Sequence, residues 1–179
     1  MGSRVARTVP RRVSILMGSD SDLPVMAECA RTLEEYGLGY EIKVLSAHRT
    51  PEHTVRYVRR AERNGCRVMV AGAGASAHLA GVVAAHTLLP VIGVPLAGSP
   101  LGGFDALLST VQMPPGVPVA TVGVGAMGAR NAGHLAASIL ALGDARLRKA
   151  LHARRLSMRD GVLAKGRGLE TRLRKLLAG

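Results

Sequence analysis

Short apolar runs rich in β-branched residues alternate with helix-like segments five times along this chain. No other feature constrains the fold as strongly, because apolar strands joined through helices are typical of a parallel sheet covered on both faces. The alternation therefore predicts an α/β fold around a five-stranded parallel sheet. The predicted strands are Val13–Met17, Tyr40–Leu45, Val68–Ala71, Val91–Val94 and Val119–Val122.

Helix signals occupy the connections between these strands. Pro24 lies in the first turn of the first predicted helix, and Thr50 is predicted to cap the second, which begins at Pro51 and ends at Gly65. The basic tail either continues the last helix or frays. The other predicted helices are Leu23–Tyr36, Ala77–Leu88, Phe104–Thr110, Gly128–Leu142 and Ala145–Leu156.

Length and composition favour one folded domain. The chain has 179 residues, and its 47% apolar content excludes a disordered protein. Because no linker or repeat is found, we expect a single domain at 13–156, a basic N-terminal extension at 1–12 and a basic C-terminal tail at 157–179. Two lone cysteines exclude a disulfide scaffold and fit a reducing cytoplasm, and the lack of a Cys/His cluster predicts no metal site.

The net charge of +12 is carried by the two ends of the chain. Residues 1–12 contribute +4 and residues 145–179 contribute +9, whereas residues 13–144 have a net charge of −1. Basic ends are commonly solvated surface, and a chain with one Phe, three Tyr and no Trp offers little for base stacking. We therefore expect no nucleic-acid partner.

A long uncharged stretch lies in the middle of the chain. No Asp, Glu, Lys or Arg occurs at 68–104, and after Asp105 none occurs before Arg130. Prolines and glycines interrupt this stretch before it reaches the roughly 20 apolar residues that span a bilayer, so we expect no membrane partner. The alternative is that part of this uncharged stretch is buried against copies of the same chain, which predicts an oligomer.

In open parallel sheets, ligands bind beyond the carboxyl ends of the strands, where the strand order reverses. The loop after the first strand carries Ser19, Asp20, Ser21 and Asp22 before a helix N-terminus. Helix N-termini bind phosphate, and an Asp beside such a site can accept hydrogen bonds from ribose hydroxyls. Helix capping by Asp20, Ser21 or Asp22 is the structural alternative, although one residue would suffice for it.

The loop after the second strand, Ser46 to Pro51, contains His48 and Arg49. Arginine can bind a phosphate through two hydrogen bonds, and histidine titrates near neutral pH, as a general acid or base should. Taken alone, this loop is equally consistent with a surface turn.

The loop after the third strand, Gly72 to Ala77, has a G-x-G-x-x-A pattern, which is typical of a dinucleotide-binding site. Such a site also needs an acidic residue about 20 positions later, and no acid precedes Asp105. The glycines instead favour close approach of the backbone to a flat ligand.

Taken together, these loops resemble the PurE family of purine biosynthesis, in order and at the family's spacing over roughly residues 13–155. The resemblance is carried by the ordered set MGSDSD (17–22), SAHRTP (46–51), AGAG (71–74), AHL (77–79), PVIGVP (90–95) and VQMP (111–114), with GVPV (116–119) after it.

The resemblance implies a three-layer α/β/α, flavodoxin-like fold with C-terminal helices, a cytoplasmic homo-octamer and no metal or organic cofactor. It also implies N5-carboxyaminoimidazole ribonucleotide mutase activity in IMP biosynthesis and a functional link to the ATP-dependent synthetase that makes the substrate. The carboxylase class of the family, which uses free CO2, has Lys-Gly where this chain has Arg49-Thr50, so the mutase class is favoured.

The family's functional residues carry over by motif. His48 matches the catalytic histidine, and Ser19, Asp22 and Arg49 match ribonucleotide-binding positions. Other residues are expected in the substrate site by loop position: Ser21, Ser46, Gly72, Ala73, Gly74, His78 and Leu79.

Three alternatives remain open at this point. One is the CO2-dependent aminoimidazole ribonucleotide carboxylase of the same family. Another is a non-enzymatic, flavodoxin-like nucleotide or flavin binder, which the scarcity of aromatic residues disfavours. An NAD-dependent oxidoreductase is weakened by the missing ribose acid.

Overall fold

The computed structural model of the chain describes residues 11–178. Five parallel strands form one sheet in the order β2-β1-β3-β4-β5, as the alternation of apolar runs predicts. Each predicted strand is present, with shifted ends. The strands are β1 (Arg11–Met17), β2 (Gly39–Val44), β3 (Val68–Gly74), β4 (Val91–Leu96) and β5 (Ala120–Thr121).

Helices cover both faces of the sheet, which confirms the flavodoxin-like α/β fold. Seven α-helices lie in the described part of the chain, with 3-10 turns at Asp20–Asp22 and Ala141–Gly143. The helices are α1 (Leu23–Glu35), α2 (Pro51–Arg63), α3 (Leu79–Ala84), α4 (Phe104–Val111), α5 (Gly125–Leu140), α6 (Ala145–Gly166) and α7 (Leu169–Leu177).

The chain divides into two compact units, one ending at Leu140 and the other beginning at Ala141. The sheet and α1 to α5 belong to the first unit, and α6 and α7 belong to the second. The boundary predicted at 156/157 falls inside the continuous helix α6. In the predicted N-terminal extension, Arg11 and Arg12 belong to β1, and residues 1–10 lie outside the described residues.

On one face of the sheet, α1 and α5 approach closely because their contact is made of small residues. A Cβ atom added at Gly133 in α5 would lie 2.7 Å from Cβ of Thr32 and 3.0 Å from the carbonyl oxygen of Cys29, both in α1. Cys29 itself is completely buried, and burial raises the pKa of its thiol to about 12.

On the other face, α2 and α3 pack on side chains of β1 and β3. This cluster contains Tyr57 and the second free thiol, Cys66. The Tyr57 hydroxyl donates to Ser14 Oγ at 3.1 Å, and burial raises the pKa of Tyr57 to about 12. Each face therefore has its own buried core built mainly from Ala, Val, Leu and Met.

Two sequence predictions about local structure are wrong. The helix expected at Ala77–Leu88 is the shorter α3, because the residues before it form tight turns, with the N–H of Ala77 bonded to Ala75 O and that of His78 bonded to Ser76 O. The helix ends at Ala84, and beyond it the hydroxyl of Thr87 donates to Glu62 and accepts from the N–H of Leu89.

Thr50 occupies the N-cap position of α2, but its side chain does not cap the helix. Its Oγ1 instead accepts from the N–H of Ser46 at 2.9 Å and donates to Ser46 O at 3.1 Å. The hydroxyl thus closes the preceding loop, which holds His48 and Arg49.

Candidate active site

A cavity of about 440 Å³ lies at the carboxyl ends of β1, β2 and β3. This is where the strand order reverses, since β1 pairs with β2 on one side and with β3 on the other. The cavity size falls within the roughly 300–1,000 Å³ typical of small-molecule sites. Most residues predicted for the site line it: Ser19, Ser21, Asp22, Ser46, His48, Arg49, Ala73, Gly74 and Leu79.

The first loop is held by a capping box at the Asp20–Asp22 turn. The Ser19 hydroxyl accepts from the N–H of Ser21 at 3.3 Å, and the Ser19 N–H donates to Asp22 Oδ2 at 3.1 Å. Ser19 is therefore the N-cap residue of this turn. Two of the three residues named as the structural alternative also take part, since Asp22 Oδ2 accepts from the N–H of Ser19 and Asp20 Oδ1 accepts from the N–H of Ser21 at 3.0 Å. The Ser21 hydroxyl also donates to Ser19 Oγ at 2.8 Å, so both hydroxyls are grouped at the cavity.

Asp22 is a partly buried carboxylate at this cavity. Burial raises its pKa above the ordinary value of 3.8, and the neighbouring Asp20 adds to the rise, while hydrogen bonds from the backbone of Ser19 and Gly18 lower it. A carboxylate that is costly to desolvate and is nevertheless kept at a cavity is typical of a binding site.

The second loop presents His48 and Arg49, both exposed to the cavity. Ser46 shapes the loop, since its Oγ accepts from the N–H of Arg49 at 3.1 Å. The Arg49 Nη2 atom donates to Gly18 O at 3.3 Å, which ties the second loop to the first. A guanidinium has five N–H donors, so most remain available for an anion.

The third side of the cavity is backbone-rich. β3 extends through Gly74, and Ala75 follows with a φ of +50°, in the left-handed region. Gly72 does not line the cavity: it is buried, its carbonyl accepts from the N–H of Gly18, and an added Cβ would lie 2.3 Å from Met26 Sδ. Its contribution is therefore to support the cavity from beneath.

His78 also lies outside the cavity lining but touches a residue within it. Its Nδ1 atom lies 2.8 Å from Nε2 of His48, and the two rings meet edge to face at 5.0 Å between centroids. The structure thus joins the second and third loops through a histidine pair.

Sequence reasoning did not assign a site role to five further lining residues: Gly18, Ala47, Ala75, Ser76 and Gly98. Gly98 follows β4, and the switch-point rule draws attention to the loop after that strand without identifying a residue in it. Ala75 carries no sequence signal for its left-handed backbone, which glycine adopts more readily.

The described residues contain neither a membrane-spanning helix nor a cluster suited to a metal ion. Within residues 11–178, no helix is long and apolar enough to cross a membrane. The same part of the chain contains no group of three or more His, Cys, Asp or Glu residues arranged to hold a metal ion.

Comparisons with known proteins agree with this arrangement. The family model described as AIR carboxylase matches residues 12–161. The chain is 59% identical over 131 residues to the N5-carboxyaminoimidazole ribonucleotide mutase of Pyrococcus abyssi, which covers 73% of this chain and 74% of that protein. It is 52% identical over 159 residues to the mutase of Thermotoga maritima, covering 89% of this chain and 92% of the relative.

Similarity extends to solved structures. The crystal structure of Treponema denticola PurE superimposes with a TM-score of 0.78 at 30% identity, covering 85% of this chain and 94% of that one. The family model alone spans most of this chain, including the whole cavity and all five strands except the first residue of β1. This chain therefore belongs to the AIR carboxylase family, as the resemblance of its loops to PurE predicts.

Proposed function

We propose that this protein is an N5-carboxyaminoimidazole ribonucleotide mutase, which converts its substrate to 4-carboxy-5-aminoimidazole ribonucleotide in de novo purine biosynthesis. One observation carries the proposal: a histidine and an arginine from one loop line the same cavity as two serines and a carboxylate from another. The relatives named as mutases, at 52–59% identity, support the same activity.

Substrate binding is assigned to the charged and hydroxyl groups of the first two loops. Arg49 and Ser19 would hold the 5′-phosphate, and Asp22 would accept hydrogen bonds from ribose hydroxyls. Ser21 and Ser46 lie beside them in the cavity. Binding energy from this remote part of the substrate would fix the imidazole ring near His48.

The chemistry is assigned to His48 acting as acid and then as base. The bond between the exocyclic nitrogen and the carboxylate breaks, CO2 leaves, and protonated His48 gives its proton to that nitrogen. Carbon C4 of the electron-rich ring then attacks CO2 and forms the new C–C bond. Neutral His48 removes the proton from C4, which restores ring aromaticity and returns the histidine to its protonated state.

Direct transfer requires that CO2 stays in the site between the two steps. The segment formed by Ala73, Gly74 and Ala75 lines the cavity with little side-chain bulk, which supports a small enclosed space beside the ring. Leu79 supplies the apolar surface that an uncharged gas molecule prefers.

The proposal is tested with substrate carrying ¹³C in its N-carboxylate, in buffer containing unlabelled bicarbonate. We expect the label to be retained in the C4-carboxylate of the product. Diluted label would instead support the CO2-dependent carboxylase of the same family. Absence of any product would contradict both activities, and bound yellow cofactor would favour a flavin-binding protein.

We propose further that the protein works as a cytoplasmic homo-octamer and receives its substrate from the ATP-dependent synthetase of the same pathway. Association is supported by large apolar side chains that are exposed on the single chain, among them Leu88, Leu101, Phe104 and Met127. Light scattering would give a mass near eight times 18.7 kDa if the octamer forms.

A further inference from the structure

The contact between His48 and His78 joins two parts of the chain that are 30 residues apart. His48 follows β2, and His78 directly precedes α3. The distance of 2.8 Å between Nε2 of His48 and Nδ1 of His78 is that of a hydrogen bond between ring nitrogens. Both rings are largely exposed, so burial alone does not force them together.

A hydrogen bond between two ring nitrogens requires a proton on one of them and a lone pair on the other. When His48 is protonated it carries protons on both of its nitrogens, so Nδ1 of His78 must be the acceptor. The same direction can persist when His48 is neutral, provided that its remaining proton stays on Nε2. Donation from a charged ring is stronger than donation between neutral groups.

No other described side chain is hydrogen-bonded to the ring of His48. In particular, no described carboxylate orients it, in contrast to the arrangement in serine hydrolases, where an aspartate fixes the tautomer of the catalytic histidine. The nearest equivalent is the ring of His78, which lies outside the cavity lining and contacts His48.

We propose that His78 is a positioning residue that accepts the Nε2 proton of His48 and thereby fixes its ring and tautomer. This inference rests on the function proposed above. The Nε2 proton then stays in place throughout the reaction, and Nδ1 of His48 is the atom that gives a proton to the exocyclic nitrogen and later takes one from C4. His78 undergoes no net change, so the proton balance of the reaction is unaltered.

The experiment uses three variants of the full chain. His78→Leu removes the acceptor, and His78→Asn restores one, because its amide oxygen can occupy a position near that of Nδ1. His86→Leu is the matched control, since His86 is an exposed histidine outside the cavity. Circular dichroism of each variant checks that it is folded.

The first readout is the ¹⁵N NMR spectrum of the ring nitrogens of His48 in protein without substrate. We expect the Nε2–H tautomer in the unmodified protein, a mixture of tautomers in His78→Leu, and recovery in His78→Asn. An unchanged tautomer in His78→Leu would overturn the proposal. This readout does not depend on turnover, so it remains informative even if the unmodified protein proves inactive and the proposed function fails.

The second readout separates kcat from KM. Loss of a charge-assisted hydrogen bond to His48 should lower kcat by about 10- to 100-fold in His78→Leu. KM should change little, because phosphate and ribose contacts are untouched. A variant with raised KM and unchanged kcat would overturn the positioning role and leave His78 as a binding residue. Failure of His78→Asn to recover both the tautomer and kcat would also count against it.

Discussion

The cavity has two sides that differ in what they contribute. One side, the polar wall, is formed by side chains that are exposed or only partly buried: Ser19, Asp22, Ser46, His48 and Arg49. The other side is the glycine segment, residues 72–74, which ends the central strand β3 and pairs with β4. Ala73 and Gly74 line the cavity, and Gly72 lies beneath it. Side chains in the polar wall can change without disturbing the core, whereas the glycine segment is confined by its neighbours. The residues expected to bind and react with a ligand are therefore separate from the residues that hold the cavity in shape.

The largest expected effect on turnover is in the polar wall. We expect His48→Asn to lower kcat by about 10²- to 10⁴-fold, the usual contribution of a general acid or base. Its thermal unfolding midpoint should not change, because the side chain is exposed. Steady-state kinetics and a thermal melt measure the two quantities.

The matched control is His53→Asn, an exposed histidine on α2 that does not line the cavity. Its kcat should equal that of the unmodified protein. If His48→Asn retained turnover, the assignment of His48 as general acid and base would be wrong.

Arg49→Ala should weaken ribonucleotide binding by about 10- to 100-fold, since a hydrogen-bonded charge pair is lost. Its stability should be preserved, because Arg49 is exposed and makes one long hydrogen bond to Gly18 O. Isothermal titration calorimetry with the product ribonucleotide measures the change. Arg67→Ala, an exposed arginine outside the cavity, is the control, and equal affinities for the two variants would contradict the phosphate assignment.

The glycine segment should respond in the opposite way. In Gly72→Ala the new Cβ would collide with Met26, which is completely buried, so we expect a loss of about 1–3 kcal/mol in the free energy of unfolding. Denaturant titration measures it. Gly98→Ala is the control, because an added Cβ there meets nothing within 4 Å. Equal stability of the two variants would show that Met26 adapts freely.

The smallest effect is expected for Asp22→Asn, which should weaken binding by roughly 10-fold or less, the value of a single hydrogen bond. Burial raises the pKa of Asp22, so the folded state holds a proton there more readily than the unfolded state. This stabilisation is complete below the ordinary value of 3.8 and is lost as pH rises through the raised pKa.

At neutral pH, Asp22→Asn should therefore unfold at the same temperature as the unmodified protein or slightly above it. Asp20→Asn, on the exposed neighbour outside the cavity, is the control. A lower midpoint for Asp22→Asn would mean that the capping hydrogen bond from Ser19 outweighs the cost of burying the charge.

Sequence patterns predicted the sheet because the central strands β3 and β4 are apolar runs that are largely buried on both faces, and helix signals separate all five predicted strands. They also predicted most of the cavity, since parallel strands bring their carboxyl ends to one edge and so bring together Ser19, His48 and Arg49. Family membership, expected from the order of the loop motifs, is confirmed.

What the sequence did not reveal depends on tertiary contacts. β3 extends three residues beyond its predicted end because β4 lies beside it as far as Leu96. The hydroxyl of Thr50, suited to a helix cap, is bonded to Ser46 instead. The sequence also did not predict the pairing of His48 with His78, because a separation of 30 residues along the chain does not determine the distance between the two rings.

The two free thiols lie on opposite faces of the sheet, Cys29 in α1 and Cys66 in the cluster with α2. A thiol-specific reagent can react only when the surrounding layer opens, so each cysteine records the opening of its own layer. Single-cysteine variants would then measure the opening rates of the two layers separately and would show whether ribonucleotide binding slows one, the other or both.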